Sequence, residues 1–160
     1  DIICFGDDLG AQNCPQISPR MYREFFKPRH AAMWAEAKRL SPVKVMLHCC
    51  GAVRQLLPDL IDAGLDAINP VQISGKGMEA EGLKRDFGAQ LTFWGGGCDT
   101  QRVLPLGTPE EVRAHVRAQC AALAPGGGFV FQQVHNILAG VPPENVVAMY
   151  QAVAEAAVIA

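Results

Sequence analysis

Residues 41–70 read SPVKVMLHCCGAVRQLLPDLIDAGLDAINP. The run at 43–47 is apolar and β-branched, as a buried strand requires. Residues 53–63 carry apolar side chains at helical spacing, and Gly64 ends them. A second short apolar run follows at 66–69. Strand, helix and strand within about thirty residues make a βαβ unit, the building block of a parallel sheet.

The same alternation extends both ways. Residues 1–5 read as a strand ending in Gly6-Asp7-Asp8. Ser18-Pro19 opens a helix, Ser as N-cap and Pro at the first helical position, that reaches about residue 40; Pro28 must kink or divide it. Downstream come a helix at 78–87 closed by Gly88 and a strand at 91–94 running into Gly95-Gly96-Gly97-Cys98-Asp99. Thr108-Pro109-Glu110-Glu111 has the capping-box pattern and starts a helix to about residue 123. Gly126, Gly127 and Gly128 turn the chain into a strand at 129–133, and Pro142-Pro143-Glu144-Asn145 begins a last helix running nearly to the end. Each of the five strands is a continuous apolar run, the mark of parallel strands covered on both faces. The expected class is α/β. A closed eight-stranded barrel needs about 250 residues, so the expectation for 1–160 is one domain: the C-terminal five βα units of a TIM (β/α)8 barrel, its first strands absent. A smaller open sheet of flavodoxin type is the alternative. A barrel portion would leave two strand edges and an apolar inner face open, so association with a partner, a second copy or the missing half is expected.

Composition excludes several function classes. The chain of 160 residues has a formal net charge of −2, which offers no basic field to nucleic acid. Hydrophobic residues make up 49 % but come in short runs, none near the roughly 18 apolar residues of a membrane helix. Six cysteines inside apolar elements fit a reducing cytoplasm better than a disulfide scaffold. Cys4 and Cys120 read as small buried hydrophobes. The aromatic spacing of Tyr22, Phe25, Phe26 and Trp34 reads as core packing, and His30 and His115 as solvated or locally paired helix residues.

The chemistry-bearing side chains all follow strand ends, where parallel α/β proteins build their sites. His48 and Cys50, at i and i+2, leave the strand end on one face and suit zinc. A third ligand must come from elsewhere; His135 and Cys98 both qualify. Asp7, Asp8 and Asp99 are candidate catalytic acids or bases, with turn capping as the competing role. Asn69, Gln72, Trp94, Gln101 and Asn136 are candidate substrate contacts. The triple glycine lacks the lysine and hydroxyl of a phosphate loop and reads as close backbone packing.

The runs HCCGAV…LIDAGLDAINPVQ, LTFWGGGCDTQ and GGGFVFQQVHNILAGVPPENVVAMY, with GDDLGAQ…ISPRMYREFFKPRH before them, resemble the uroporphyrinogen decarboxylase superfamily. The nearest branch is that of the methylcobamide:coenzyme M methyltransferases. The resemblance implies a (β/α)8 barrel with zinc held by a His-x-Cys pair and a distant Cys. His48 and Cys50 match the pair, and His135 stands where the distant Cys is expected, giving a His, Cys, His set with Cys98 a lesser candidate. It also implies methyl transfer between a corrinoid on a partner protein and a small thiol-type acceptor. The alternatives are a cofactor-free tetrapyrrole carboxy-lyase of porphyrin biosynthesis, whose working Asp and Arg residues precede this stretch, and an inactive barrel remnant.

Overall fold

The structure, a computed structural model, describes residues 1–157. It contains five strands, β1 (Ile2–Gly6), β2 (Lys44–His48), β3 (Ala67–Asn69), β4 (Thr92–Trp94) and β5 (Phe129–Val130). They form one sheet in the order β1-β2-β3-β4-β5, every neighbouring pair parallel. The register runs Met46 to Ala67, Ala67 to Thr92 and Phe93 to Phe129. Each strand therefore sits beside the one before it in sequence. A doubly wound sheet would reverse direction partway along the order, so the flavodoxin-like alternative fails. Successive right-handed crossovers leave the helices on one face, as in the wall of a (β/α)8 barrel.

The helical layer departs from expectation where the backbone chemistry demands it. Ser18 caps α1 (Pro19–Met21) by accepting the Met21 N–H. The chain then widens into a π-helical turn, Tyr22–Phe26, before α2 (Lys27–Leu40). Pro28 cannot donate a hydrogen bond to the turn before it; the wide turn, closed by Lys27 N–H to the Tyr22 carbonyl, absorbs that gap, so the helix is bulged. After β2 come a single 3-10 turn, Arg54–Leu56, and α3 (Leu57–Asp62). Then follow α4 (Ala80–Phe87), a short α5 (Val103–Leu106) that the sequence reading lacked, α6 (Pro109–Leu123) and α7 (Pro143–Ala157). The expected capping box is present: Thr108 accepts the Glu111 N–H, and Glu111 accepts from the Thr108 backbone. No helix among the described residues is long and apolar enough to cross a membrane.

Two clusters make the core. One packs Tyr22, Trp34, Leu56, Leu57, Leu60 and Leu83 against Val45, Leu47, Ile68 and Phe93 of the sheet. The other joins Cys98 and Leu104 to Val112, Val116 and Cys120 of α6 and to Ala148, Met149 and Ala152 of α7. Cys120 is buried as expected, but Cys4 is exposed, because its register with Met46 puts it on the face of the sheet opposite the one where Val45 and Leu47 join the core, and successive strand side chains alternate between faces. Phe25 is 49 % exposed while Tyr22 and Trp34 are fully buried. His30 is also buried, at 4 %, stacked on Trp34 with ring centroids 4.6 Å apart, so it is paired and not solvated. The expected strand at 129–133 shortens to Phe129–Val130; Gln133 rejoins the sheet only through an isolated bridge to Cys98.

Candidate metal centre

His48 ends β2, Asn69 ends β3, and the ladder places them side by side. Backbone bonds tie the strand ends together: Asp7 N–H donates to the His48 carbonyl at 3.0 Å, and Cys49 N–H to the Asn69 carbonyl at 2.7 Å. His48 and Cys50 thus leave adjacent, cross-braced backbone. The Cys50 Sγ lies 3.5 Å from His48 Nε2. His135, in the loop between β5 and α7, completes the group, and one ligand atom from each of the three lies within 4.8 Å of the others. The two imidazole rings stand 6.1 Å apart. His135 adopts φ +62°, a left-handed conformation that side-chain-bearing residues rarely take, which aims its ring across the strand ends.

Cys98 is not part of this group. It is fully buried among the α5, α6 and α7 side chains, and its thiol reaches only the Asp99 carbonyl, at 4.0 Å. Burial first, then the Asp99 charge, pushes that thiol up to about 12. Cys49 points into the core and accepts the Leu9 N–H at 3.3 Å; burial pushes it up to about 12. Cys50 is only partly buried, and desolvation with the neighbouring Asp8 carboxylate pushes it up to about 11. In the metal-free chain all three thiols keep their protons at neutral pH.

The acids divide. Asp8 accepts the Cys50 N–H at 2.8 Å and lies 3.9 Å from His48 Nε2, beside the ligand group. Asp7 turns to the other side and meets His30 Nε2 at 2.9 Å, whose Nδ1 pairs with the Tyr22 hydroxyl at 3.0 Å. Asp99 is buried; it accepts the Gln101 N–H at 2.8 Å and gives its own N–H to His115 Nε2 at 3.2 Å. Its carboxylate holds the turn after β4 and lies outside the ligand group. His115 is half buried, and desolvation outweighs the Asp99 charge to lower its pKa.

A rim of carboxamides surrounds the group. Gln72 accepts the Gly51 N–H at 2.9 Å and donates to Gln12 at 2.8 Å. Gln101 donates to Gln12 at 3.5 Å and accepts from Ser74 at 3.0 Å, and Gln12 donates to the Ser74 carbonyl at 2.6 Å. Gln72, Gln101, His135 and Asn136 line a hollow of about 220 Å³. Trp94 also lines a hollow, but with Ile2, Lys44 and Ala67, away from the ligand group. Gln12 and Ser74 carry no sequence signal of their own; only the fold brings them to the rim. The loops meet glycine on glycine: a Cβ at Gly10 would collide with the Cys50 carbonyl, and one at Gly51 with the Gly10 backbone.

Comparison with known proteins places this geometry. A solved structure described as a methyltransferase from Methanosarcina mazei aligns with a TM-score of 0.74 at 23 % identity, over 97 % of this chain and 42 % of that one. The likeness establishes the shared fold, and this chain spans less than half the length of that protein. No curated protein matches. The family description Uroporphyrinogen decarboxylase (URO-D) matches residues 1–156, nearly the whole chain. With its parallel barrel-wall sheet and its polar groups gathered at the strand ends, the chain belongs to the uroporphyrinogen decarboxylase family.

Proposed function

We propose that this chain is the metal-bearing part of a zinc-dependent methyltransferase, moving a methyl group between a corrinoid carried on a partner protein and a small thiol-type acceptor. The observation that carries the reading is the convergence of His48, Cys50 and His135 within 4.8 Å. The donor set fits zinc: two imidazoles and a thiol are competent ligands, and three protein ligands leave a fourth position open, as catalytic sites require. The 3.5 Å between Cys50 Sγ and His48 Nε2 equals, to about 0.1 Å, the edge of a tetrahedron with bonds near 2.0–2.1 Å to nitrogen and 2.3 Å to sulfur.

Zinc, when bound, supplies the acidity that turns a coordinated thiol into a nucleophile at neutral pH. His48, Cys50 and His135 hold it. Asp8, 3.9 Å from His48 Nε2, is the base placed to take the proton an incoming thiol gives up. Gln72, Gln101 and Asn136 line the adjoining hollow with neutral carboxamides that orient a polar acceptor through hydrogen bonds. Asp7, braced by His30, holds the first loop in place.

A metal-free carboxy-lyase acting on tetrapyrroles is the second reading, favoured by the family description itself. Metal analysis of the purified full-length protein separates the two. About one equivalent of zinc, lost in His48→Ala and Cys50→Ala and retained in Cys98→Ser, is the expected result. A folded protein that stays metal-free after incubation with zinc would overturn the methyltransferase reading.

A further inference from the structure

We infer that Asn69 is the positioning residue that selects which nitrogen His48 presents to the metal; this rests on the zinc reading above. Asn69 is buried, at 8 % exposure, and every polar atom of its side chain is engaged. Its Nδ2 lies 3.0 Å from the Trp94 carbonyl and 3.0 Å from Gln132 Oε1. A backbone carbonyl only accepts, so the amide has one workable orientation: Nδ2 toward Trp94, and Oδ1 toward His48. That oxygen sits 2.7 Å from His48 Nδ1 and can only accept. The proton of a neutral His48 must therefore lie on Nδ1, which leaves the Nε2 lone pair facing Cys50 Sγ, 3.5 Å away.

The arrangement matches what metal-binding histidines need. The ring nitrogen away from the metal donates to a fixed acceptor, which sets tautomer and orientation and makes the ligating nitrogen more basic. Here the acceptor is itself fixed by two bonds to neighbouring elements, the end of β4 and the segment after β5. The Asn69 backbone serves the other ligand, since its carbonyl accepts the Cys49 N–H at 2.7 Å one residue before Cys50. One residue at the end of β3 thus braces both ligands of the His-x-Cys pair. Asn69 read from sequence as a substrate contact; with its amide protons and its carbonyl oxygens directed into the protein, it acts instead through His48.

The test compares Asn69→Leu, which has no acceptor, with Asn69→Asp, which keeps one but loses the amide donors. In the full-length zinc-free protein, at a pH where imidazole is neutral, long-range ¹H–¹⁵N spectra report the His48 tautomer. Zinc affinity is read by competition with a chromophoric chelator. We expect wild type and Asn69→Asp to carry the proton on Nδ1 and bind zinc within a few-fold of each other. Asn69→Leu should lose that tautomer preference and bind zinc about 10–100-fold more weakly. Both variants lose the bonds to Trp94 and Gln132, so a merely structural role would weaken zinc binding equally in both. The inference is overturned if wild-type His48 carries its proton on Nε2, a result that needs no variant to fold. It is also overturned if Asn69→Leu matches wild type in tautomer and affinity. His48→Ala separates the two claims: zinc held undiminished in that variant sinks the zinc reading, whereas zinc lost there but unaffected by Asn69→Leu sinks this inference alone.

Discussion

Replacing His135 with glycine is expected to stabilise the metal-free protein and to weaken the zinc-loaded one. The backbone of His135 sits at φ +62°, where a Cβ costs about 1–2 kcal/mol. Glycine escapes that cost but gives up about 0.5–1 kcal/mol through the greater freedom of the unfolded chain. The His135 side chain is exposed, so little packing is lost, and the hydrogen bond that the Gln133 side-chain amide donates to the His135 carbonyl, 3.0 Å, survives the change. The balance is a gain of about 0–1.5 kcal/mol, centred on ~0.7 kcal/mol, or about 1–3 °C in melting temperature at that centre for a chain of this size. His135→Ala is the control, since alanine also loses the imidazole but keeps the Cβ and its strain. Zinc reverses the order. At a free concentration one hundred times its Kd it adds about 2.7 kcal/mol to the wild type, and neither variant retains the third ligand. Thermal unfolding in chelator should rank glycine above histidine and alanine, and unfolding in zinc should rank histidine first. A glycine variant that melts at or below the alanine variant in chelator would refute the strain argument.

Two further outcomes follow from the packing. Asp59 is buried and holds Arg23 at 2.9 Å and Lys27 at 2.8 Å; burial opposes its ionisation, but the Lys27 and Arg23 hydrogen bonds prevail and lower its pKa. A depressed carboxyl stabilises the fold above its unfolded value, about 3.9, and the contribution is lost as pH falls through the folded value. Asp59→Asn should therefore cost about 1–3 kcal/mol at pH 7, with wild type and variant converging below about pH 4 in denaturant titrations. Gly95 and Gly126 both have positive φ, +116° and +76°, but a Cβ at Gly95 would strike the Pro70 carbonyl whereas one at Gly126 meets nothing within 4 Å. Gly126→Ala should cost about 1–2 kcal/mol and Gly95→Ala on the order of 4 kcal/mol or more; equal costs by chemical denaturation would show that the close approach to Pro70 is unimportant.

The parallel sheet and the placement of polar groups at its C-terminal edge were legible because both depend on local patterns. Uninterrupted apolar runs specify buried strands, and the residues just beyond them are set by chain order alone. His48, Cys50 and His135 could be read for that reason. Cys98 ranks below them through the family resemblance and not through local pattern, because its direction is decided by the glycine turn before it and by packing against α6 and α7, neither of which leaves a periodic mark. The burial of His30 had a signal that spacing could have revealed. Tyr22, Phe26, His30 and Trp34 recur every fourth residue, on one helical stripe, and the ring of His30 stacks within it. Asn69 and Gln72 were correctly placed at a strand end, but their hydrogen bonds to Trp94, Gln132 and Gln12 join segments far apart in sequence, which no local pattern encodes.

The ligand group is built from two kinds of support. His48 and Cys50 rise from the end of β2, held by the ladder, by Asn69 and by the Asp8 carboxylate on the Cys50 N–H. His135 stands on a loop in a strained conformation, its carbonyl accepting from Gln133 Nε2 at 3.0 Å, while the neighbouring Val134 gives its N–H to the Cys98 carbonyl at 2.8 Å and accepts from the Thr100 hydroxyl. Two ligands are therefore pre-set by the sheet, and the third depends on a segment whose preferred conformation opposes its position. Local strain of this sort persists where the surroundings over-determine it and is concentrated at functional sites. A metal joining the three would link the loop after β5 to the end of β2, across the width of the sheet. On the zinc reading proposed above, the bond to His135 would offset the cost of its backbone, which is what a Cβ-bearing residue at this position would need.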